Sequence, residues 1–480
     1  MFKKSCGNRP AAGAGWPYFL LLAALVPSTG MAQIPSGPHP VGFQSQRVDD
    51  YSRPAVAGDP GSPRSVQIDI WYPAQPSGEP MTVADYWRHS YAGPATMRSA
   101  DLAKVPVRAR SGAKPEESIA GVILYSPGIG GEGFDNFLIC EALAGQGYLV
   151  ASAPSLGFLT RKAQPVPQDL EVAARDLEFV ADVVRRTWPG AKSSKFAVMG
   201  YSWGGLAAML IQMRNPGVTA VVNIDSAIAS HEDKAAKTAW FNLQAMRVPS
   251  LYFSAADTLE MHNRLLERIH YSATTHIPFA GVNHGDFQSI SYLRSLSPKP
   301  DAHSDAAKSA YERVTAATVS FFNLWLKGQQ PAPDAVKINT KPSLPPPPTE
   351  AEFFAMIRKD GPEKALKLFK EFRQRDPGVN FFGEMAIAEL GFSLFDGGRK
   401  REGIEALELA FLGYPKSYRP HGYVGSLLED TGERDRAIAE YGIALGMAMK
   451  DTDSDPLQTA ADVKLFEGLI AKLSKKSPAK

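Results

Sequence analysis

Between about residues 65 and 328 the chain alternates short apolar runs with longer amphipathic stretches. The runs at 121–125, 148–153, 195–199, 219–224, 248–253 and 274–279 are rich in β-branched and aromatic residues and are bounded by turn formers. They are nearly continuous rather than alternating, which suits strands buried on both faces of a parallel sheet. Residues 65–72 read as an edge-type strand. Between the runs, Leu170, Ala173, Leu177, Val180 and Val184 recur every three or four positions, the period of an amphipathic helix. A last helix over 311–326 brings Phe321, Phe322 and Trp325 to cover the sheet. Strand–helix alternation of this kind predicts an α/β fold, a mostly parallel sheet with helices on both faces.

The pattern changes at residues 329–349. Gln329-Gln330-Pro331-Ala332-Pro333 and Pro345-Pro346-Pro347-Pro348 favour polyproline II, a semi-rigid spacer, so a domain boundary is expected here. Beyond it the chain reads as all-α, and it repeats. An offset of 34 residues pairs Gly391 with Gly425, Leu394 with Leu428, Asp396 with Asp430, Gly398 with Gly432, Ile404 with Ile438 and Ala410 with Ala444. That is the spacing of tetratricopeptide-like helix pairs. Residues 384–417 and 418–451 form two units, 351–377 an irregular earlier one, and 457–473 a capping helix. Such arrays present surfaces for peptides or proteins, so a protein partner is one expectation for 350–480.

The first residues add a different expectation. Lys3, Lys4 and Arg9 precede an apolar run at 18–26, and Gly30-Met31-Ala32 places small residues at a cleavage site. Residues 1–32 therefore read as a bacterial secretory signal, giving an exported protein, periplasmic or secreted. The run is short for a bilayer-spanning helix, so no transmembrane anchor is expected in the mature chain. Removing the signal removes Cys6 and leaves Cys140 as the one cysteine, excluding an intramolecular disulfide. Cys140 lies in an apolar helical stretch and reads as a small core residue. Lys plus Arg number 52 and Asp plus Glu 50, so charge gives no reason to expect nucleic acid.

The chemistry gathers around Gly200-Tyr201-Ser202-Trp203-Gly204. The five-residue pattern alone is weak, but it directly follows the strand 195–199 and directly precedes the helical run 206–210. Strand, sharp turn and helix are what a nucleophile elbow requires, which makes Ser202 the candidate nucleophile. The serine sits in a strained backbone, and side chains two residues either side would collide with the neighbouring strand and helix. The following helix points its N-terminus at the serine and favours negative charge there. Two backbone N–H groups are needed for a developing oxyanion: that of Trp203, and one from Ser126-Pro127-Gly128-Ile129-Gly130-Gly131. Ile129 is the expected second donor, since Pro127 has no N–H.

A general base must follow. Of nine histidines, His231, His262, His270 and His276 fall in helical, strand or polar stretches and read as structural or solvated. His284 lies in Asn283-His284-Gly285-Asp286-Phe287, a turn-rich loop after the last strand, from which an imidazole can reach the serine. Two carboxylates could orient it: Asp225, closing the strand after the nucleophile helix, and Asp257, following the next strand. No metal ligand set and no cofactor motif is expected.

Together Val41-Gly42, Gln67-Ile68-Asp69-Ile70-Trp71-Tyr72-Pro73-Ala74, the 126–131 loop, Gly200-Tyr201-Ser202-Trp203-Gly204-Gly205 and Asn283-His284-Gly285-Asp286-Phe287 resemble bacterial α/β-hydrolases of the dienelactone hydrolase and platelet-activating-factor acetylhydrolase type. The resemblance covers about 41–328 and implies an α/β-hydrolase catalytic domain at 33–328. Acetylhydrolase-like members take their acid from the strand just after the nucleophile helix, which favours Asp225. Dienelactone hydrolases and polyester-degrading cutinases take it one strand later, which favours Asp257. Dienelactone hydrolases carry cysteine where this chain has Ser202, which argues against that specific activity. Many relatives have histidine where this chain has Pro127. The expected activity is hydrolysis of a small-molecule or lipid-like carboxylic ester through a Ser-His-Asp triad. The alternative is a binding protein whose hydrolase domain is catalytically idle. An insertion at 81–118 offers Tyr86, Trp87 and Tyr91 either to an acyl pocket or lid, or to a flap on the sheet edge. Trp71 and Tyr72 read as core.

Overall fold

The computed structural model describes residues 34–475 except 55–60, 92–98, 159–162, 189, 193, 239–240, 297–301, 332–335 and 452–455. The signal expected at 1–32 lies outside these residues. Ten strands form one mixed sheet: β1 (Val41–Pro54), β2 (Pro63–Pro73), β3 (Glu79–Thr82), β4 (Pro106–Ser111), β5 (Gly121–Ser126), β6 (Tyr148–Ser152), β7 (Phe196–Tyr201), β8 (Val218–Ile224), β9 (Ser250–Ser254) and β10 (Thr274–Pro278). Their order is β10-β9-β8-β7-β5-β6-β2-β1-β4-β3, and the pairs from β10 through β6 are all parallel. Every residue of β5, β6, β7 and β9 is buried, the property that makes these strands read as unbroken apolar runs. Helices Phe137–Gly145 and Ala302–Lys327 cover one face, while Pro167–Thr187 and Trp203–Arg214 cover the other. This is the α/β class that the sequence pattern predicts.

Two expectations change. Residues 65–72 are not at an edge: β2 lies between β1 and β6, antiparallel to both. The long antiparallel partner β1 shields it, and β1 is too polar in its second half to announce itself. Residues 81–118 do not place Tyr86 in a pocket. Its ring is fully buried among Phe43, Trp71 and Phe137. The Tyr86 hydroxyl donates to Glu141 Oε1 at 2.7 Å, and the backbone N–H of Arg108 reaches Glu141 Oε2 at 3.1 Å. Burial pushes the Glu141 carboxyl up to about 6 even though these donors favour its charged form. The insertion is thus pinned to helix Phe137–Gly145, and β3 and β4 extend the sheet.

After the sheet the chain is helical from Glu350–Asp360 to Pro456–Ser474, an all-α region following the α/β one. Helix Glu384–Asp396 packs on Lys400–Gly413, and Arg419–Thr431 on Arg434–Ala448. A Cβ at Gly391 would lie 2.6 Å from Leu407, and one at Gly425 would lie 2.7 Å from Tyr441. Both glycines and both facing residues are 34 positions apart, so the two pairs close by the same contact, a glycine against the facing side chain. Gly398 (φ +87°) and Gly432 (φ +80°) end the first helix of each pair in the left-handed region.

The proline-rich stretch reads as a spacer, but part of it is tied to the sheet edge: Asn339 bonds to β10, and Ser343 and Leu344 bond to the His270 carbonyl just before that strand. Asn339 donates from its backbone N–H to Thr275 Oγ1 at 2.9 Å and from Nδ2 to the Thr274 carbonyl at 2.7 Å. These bonds engage an edge that β10 would otherwise leave open. Tyr271, just before β10, then enters the helical core beside Phe353 and Phe369. Its hydroxyl donates to Asp376 Oδ2 at 3.0 Å. Tyr271→Ala should remove both the packing and the hydrogen bond. We expect it to destabilise the chain by about 3 kcal/mol, with the helical region melting before the sheet in a denaturant titration followed by tryptophan fluorescence and circular dichroism.

Candidate active site

The parallel strands deliver their carboxyl ends to one side of the sheet, where open α/β sheets bind ligands. Ser202 follows β7, Asp225 follows β8 and His284 follows β10. Each position depends on how the chain turns there.

Ser202 has φ +54° and ψ −120°, a strained conformation for a residue with a side chain. It is tied down on both sides. Its N–H donates to the Ile224 carbonyl at 3.0 Å, and its own carbonyl accepts from Ala227 at 2.9 Å. The glycines allow the approach. A Cβ at Gly200 would lie 2.1 Å from the Gly204 carbonyl oxygen, and one at Gly204 would lie 2.0 Å from the Ser126 carbonyl oxygen. Backbone cannot yield to that degree, so both positions must lack a side chain. The helix Trp203–Arg214 therefore starts against β5 and β7 with its first N–H groups directed at the serine turn.

His284 begins a short 3₁₀ turn, His284–Phe287, capped by Asn283 and Asp286. Its Nε2 is 2.8 Å from Ser202 Oγ, and its Nδ1 is 2.5 Å from Asp225 Oδ2. An ionised carboxylate only accepts, so Nδ1 carries the proton and Nε2 presents its lone pair to the serine hydroxyl. The Tyr201 ring stacks on the imidazole, with centroids 4.9 Å apart, and its hydroxyl donates to the His284 carbonyl at 2.9 Å.

Asp225 is fully enclosed, whereas the His284 side chain is 40% exposed. Asp225 also adopts a positive φ of +44°. Its Oδ1 accepts the Thr258 hydroxyl at 2.6 Å and the Ala255 N–H at 3.1 Å. Burial alone would raise this carboxyl, but hydrogen bonds from His284 and then Thr258 outweigh it and hold the group below the usual carboxylate range. Its charge therefore contributes stability that is present above the ordinary carboxylate range and lost as pH falls through the depressed folded value. Asp257 is exposed on the turn after β9. The two carboxylates that the sequence left open thus have different settings, and Asp225 is the one that meets His284.

The loop 126–131 lies beside the serine. A Cβ at Gly128 would be 3.2 Å from the Tyr201 ring and 3.6 Å from Ser202 Cβ. Ile129 follows it with 41% exposure, and Trp203 is buried at the first position of its helix. The Trp203 and His231 rings meet nearly at right angles, with centroids 5.8 Å apart. His262 is buried and His276 half-buried, their rings stacked at 6.1 Å. Burial pushes His276 down to about 4 and lowers His262 as well, which keeps both neutral. Tyr201, Thr258 and Asp135, which accepts from Gly128 N–H at 3.3 Å, complete the surroundings. None of these three is singled out by sequence pattern. Tyr201 alone had a positional signal, its place immediately before the serine.

Among the described residues no group of three or more His, Cys, Asp or Glu side chains could hold a metal ion. No helix among them is long and apolar enough to cross a membrane. The arrangement can polarise a hydroxyl, accept its proton and stabilise the resulting imidazolium.

Comparison with known proteins bears on residues 108–326, which match the model of the dienelactone hydrolase family. A ferulic acid esterase from Streptomyces cinnamoneus is similar in structure at 21% identity and a TM-score of 0.48, over 64% of this chain and 96% of that one. No curated protein matches the chain. Residues 108–326 thus form a hydrolase domain of the dienelactone hydrolase-like α/β-hydrolase type.

Proposed function

We propose that the protein is an exported serine hydrolase that cleaves carboxylic esters through an acyl-enzyme intermediate. The observation that carries this reading is the continuous hydrogen-bonded series Asp225–His284–Ser202, each member on the end of a different strand of one rigid sheet. In this account Ser202 Oγ attacks the ester carbonyl carbon as His284 Nε2 takes its proton. Asp225 holds the imidazole tautomer and stabilises the imidazolium. The backbone N–H groups of Ile129 and Trp203 bind the oxyanion. His284 then returns the proton to the leaving alkoxide, and water repeats the sequence to release the acid. The substrate is read as a small-molecule or lipid-like ester from the match to a hydrolase family, and the 40% exposure of the His284 side chain leaves the base accessible to it.

The helical region is read as tetratricopeptide-like repeats that dock a protein partner beside an active enzyme. The idle-platform alternative is disfavoured because strain at Ser202 and Asp225 is retained where only chemistry would use it. Export rests on the sequence of residues 1–32.

Ser202→Ala should lower hydrolysis of short p-nitrophenyl esters by at least about 10⁴-fold without loss of folding. Activity close to wild type in that variant contradicts the assignment. Asp225→Asn is expected to cost roughly 10⁴-fold in kcat, because the amide favours the wrong tautomer of His284. Asp257→Asn should stay within about twofold, and the reverse order would transfer the role to Asp257. Tyr201→Phe removes only the hydroxyl bonded to the His284 carbonyl and should lower kcat about fivefold, equivalent to ~1 kcal/mol.

A further inference from the structure

Beneath the 126–131 loop runs a series of buried polar side chains that the proton transfer above does not use. Gly128 N–H donates to Asp135 Oδ2 at 3.3 Å, and the other Asp135 oxygen accepts the Tyr125 hydroxyl. Asn136 Nδ2 donates to the Tyr125 oxygen at 3.0 Å. Asn136 Oδ1 in turn accepts the Tyr311 hydroxyl at 3.1 Å. Tyr311 and Ser289 share a contact of 2.8 Å between their hydroxyls, and Ser289 Oγ also accepts Leu138 N–H at 3.1 Å. Tyr125, Asn136, Ser289 and Tyr311 are all fully buried.

Proton counting gives this series one direction. Each hydroxyl has one proton. Tyr311 spends its proton on Asn136, so Ser289 must donate to Tyr311. Tyr125 gives its proton to Asp135 and accepts from Asn136. The protons therefore point from Ser289 through Tyr311, Asn136 and Tyr125 to Asp135; burial raises this carboxyl to about 7 while the bonds from Tyr125 and Gly128 favour its charged form, in which it accepts both Tyr125 O–H and Gly128 N–H. Every polar side-chain atom of the series has at least one partner, and a buried polar network satisfied in this way favours one geometry.

Its two ends lie at functional places. Asp135 holds the backbone of Gly128, the residue before the expected oxyanion donor Ile129. Ser289 opens the helix Ser289–Ser295, directly after the turn that carries His284, and its N–H donates to the Asp135 carbonyl at 3.3 Å. Apolar side chains could fill the same space with no loss of stability. They could not set one loop against the other with the same directional precision.

We propose that Asp135 is a positioning residue for oxyanion stabilisation: it fixes the Gly128 backbone, and the Tyr125–Asn136–Tyr311–Ser289 series sets that carboxylate relative to the His284 turn. The inference rests on the serine-hydrolase reading of the same site. Asn at position 135 would offer one acceptor and one donor where both partners are donors, so one bond must fail.

The test uses the full-length protein, p-nitrophenyl butyrate as substrate and an alkyl trifluoromethyl ketone as an oxyanion-forming inhibitor. For Asp135→Asn we expect kcat to fall about 10- to 100-fold with KM changed by less than about threefold. Ketone affinity should weaken by the same factor as kcat/KM. Tyr125→Phe deletes one hydroxyl of the series and should show the same split with a loss of about three- to tenfold; it decides the question if Asp135→Asn does not fold. Wild-type kcat in a folded variant, or a loss confined to KM with ketone affinity unchanged, overturns the positioning role alone. A wild-type protein that neither hydrolyses the ester nor binds the ketone overturns the serine-hydrolase reading, and this inference with it.

Discussion

The site depends on one close approach of backbone to backbone. At Gly200 and Gly204 the first turn of helix Trp203–Arg214 comes so near β7 and the end of β5 that a Cβ at either position would sit about 2 Å from a carbonyl oxygen. That approach forces Ser202 into its positive φ and lifts its hydroxyl clear of the helix. The strain is distributed over a rigid frame, because Ser202 also bonds to Ile224 at the end of β8 and to Ala227 just beyond it. A looser turn would let the serine relax and would separate Oγ from His284 Nε2.

The same sheet explains why Asp225 meets His284. Asp225 leaves β8 with a positive φ, which turns its carboxylate inward, and Thr258 and Ala255 from the next strand end hold its second oxygen. Asp257 belongs to that next loop, yet the loop contributes a hydroxyl and an amide to Asp225 while Asp257 itself faces solvent. One strand end therefore carries the acid and its neighbour braces it. Tyr201 adds a contact from the nucleophile's own strand, so histidine, serine and acid are positioned by side chains from adjacent parts of one frame.

Much of this was legible in the sequence, and the parts that were not share a cause. Ser202 could be read because its glycines are a local requirement, fixed by spacing along a single turn. His284 could be read because a turn-rich loop after the last apolar run is itself a local pattern. The choice between Asp225 and Asp257 could not, since both follow apolar runs and are told apart by long-range bonds, such as the one from Thr258. Tyr86 looked available to a pocket because its partner Glu141 is 55 residues away. The linker looked free because proline-rich composition says nothing about the open edge of β10. Asp135 and Tyr311 carry no local sequence signal for the same reason: their significance lies in partners brought together by the fold.

Covalent labelling tests the central claim most directly. The full-length protein treated with a fluorophosphonate, digested and analysed by mass spectrometry should carry a single adduct, on Ser202, and prior denaturation should abolish it. An intact, folded protein that takes no label, or takes it at another residue, would contradict the account.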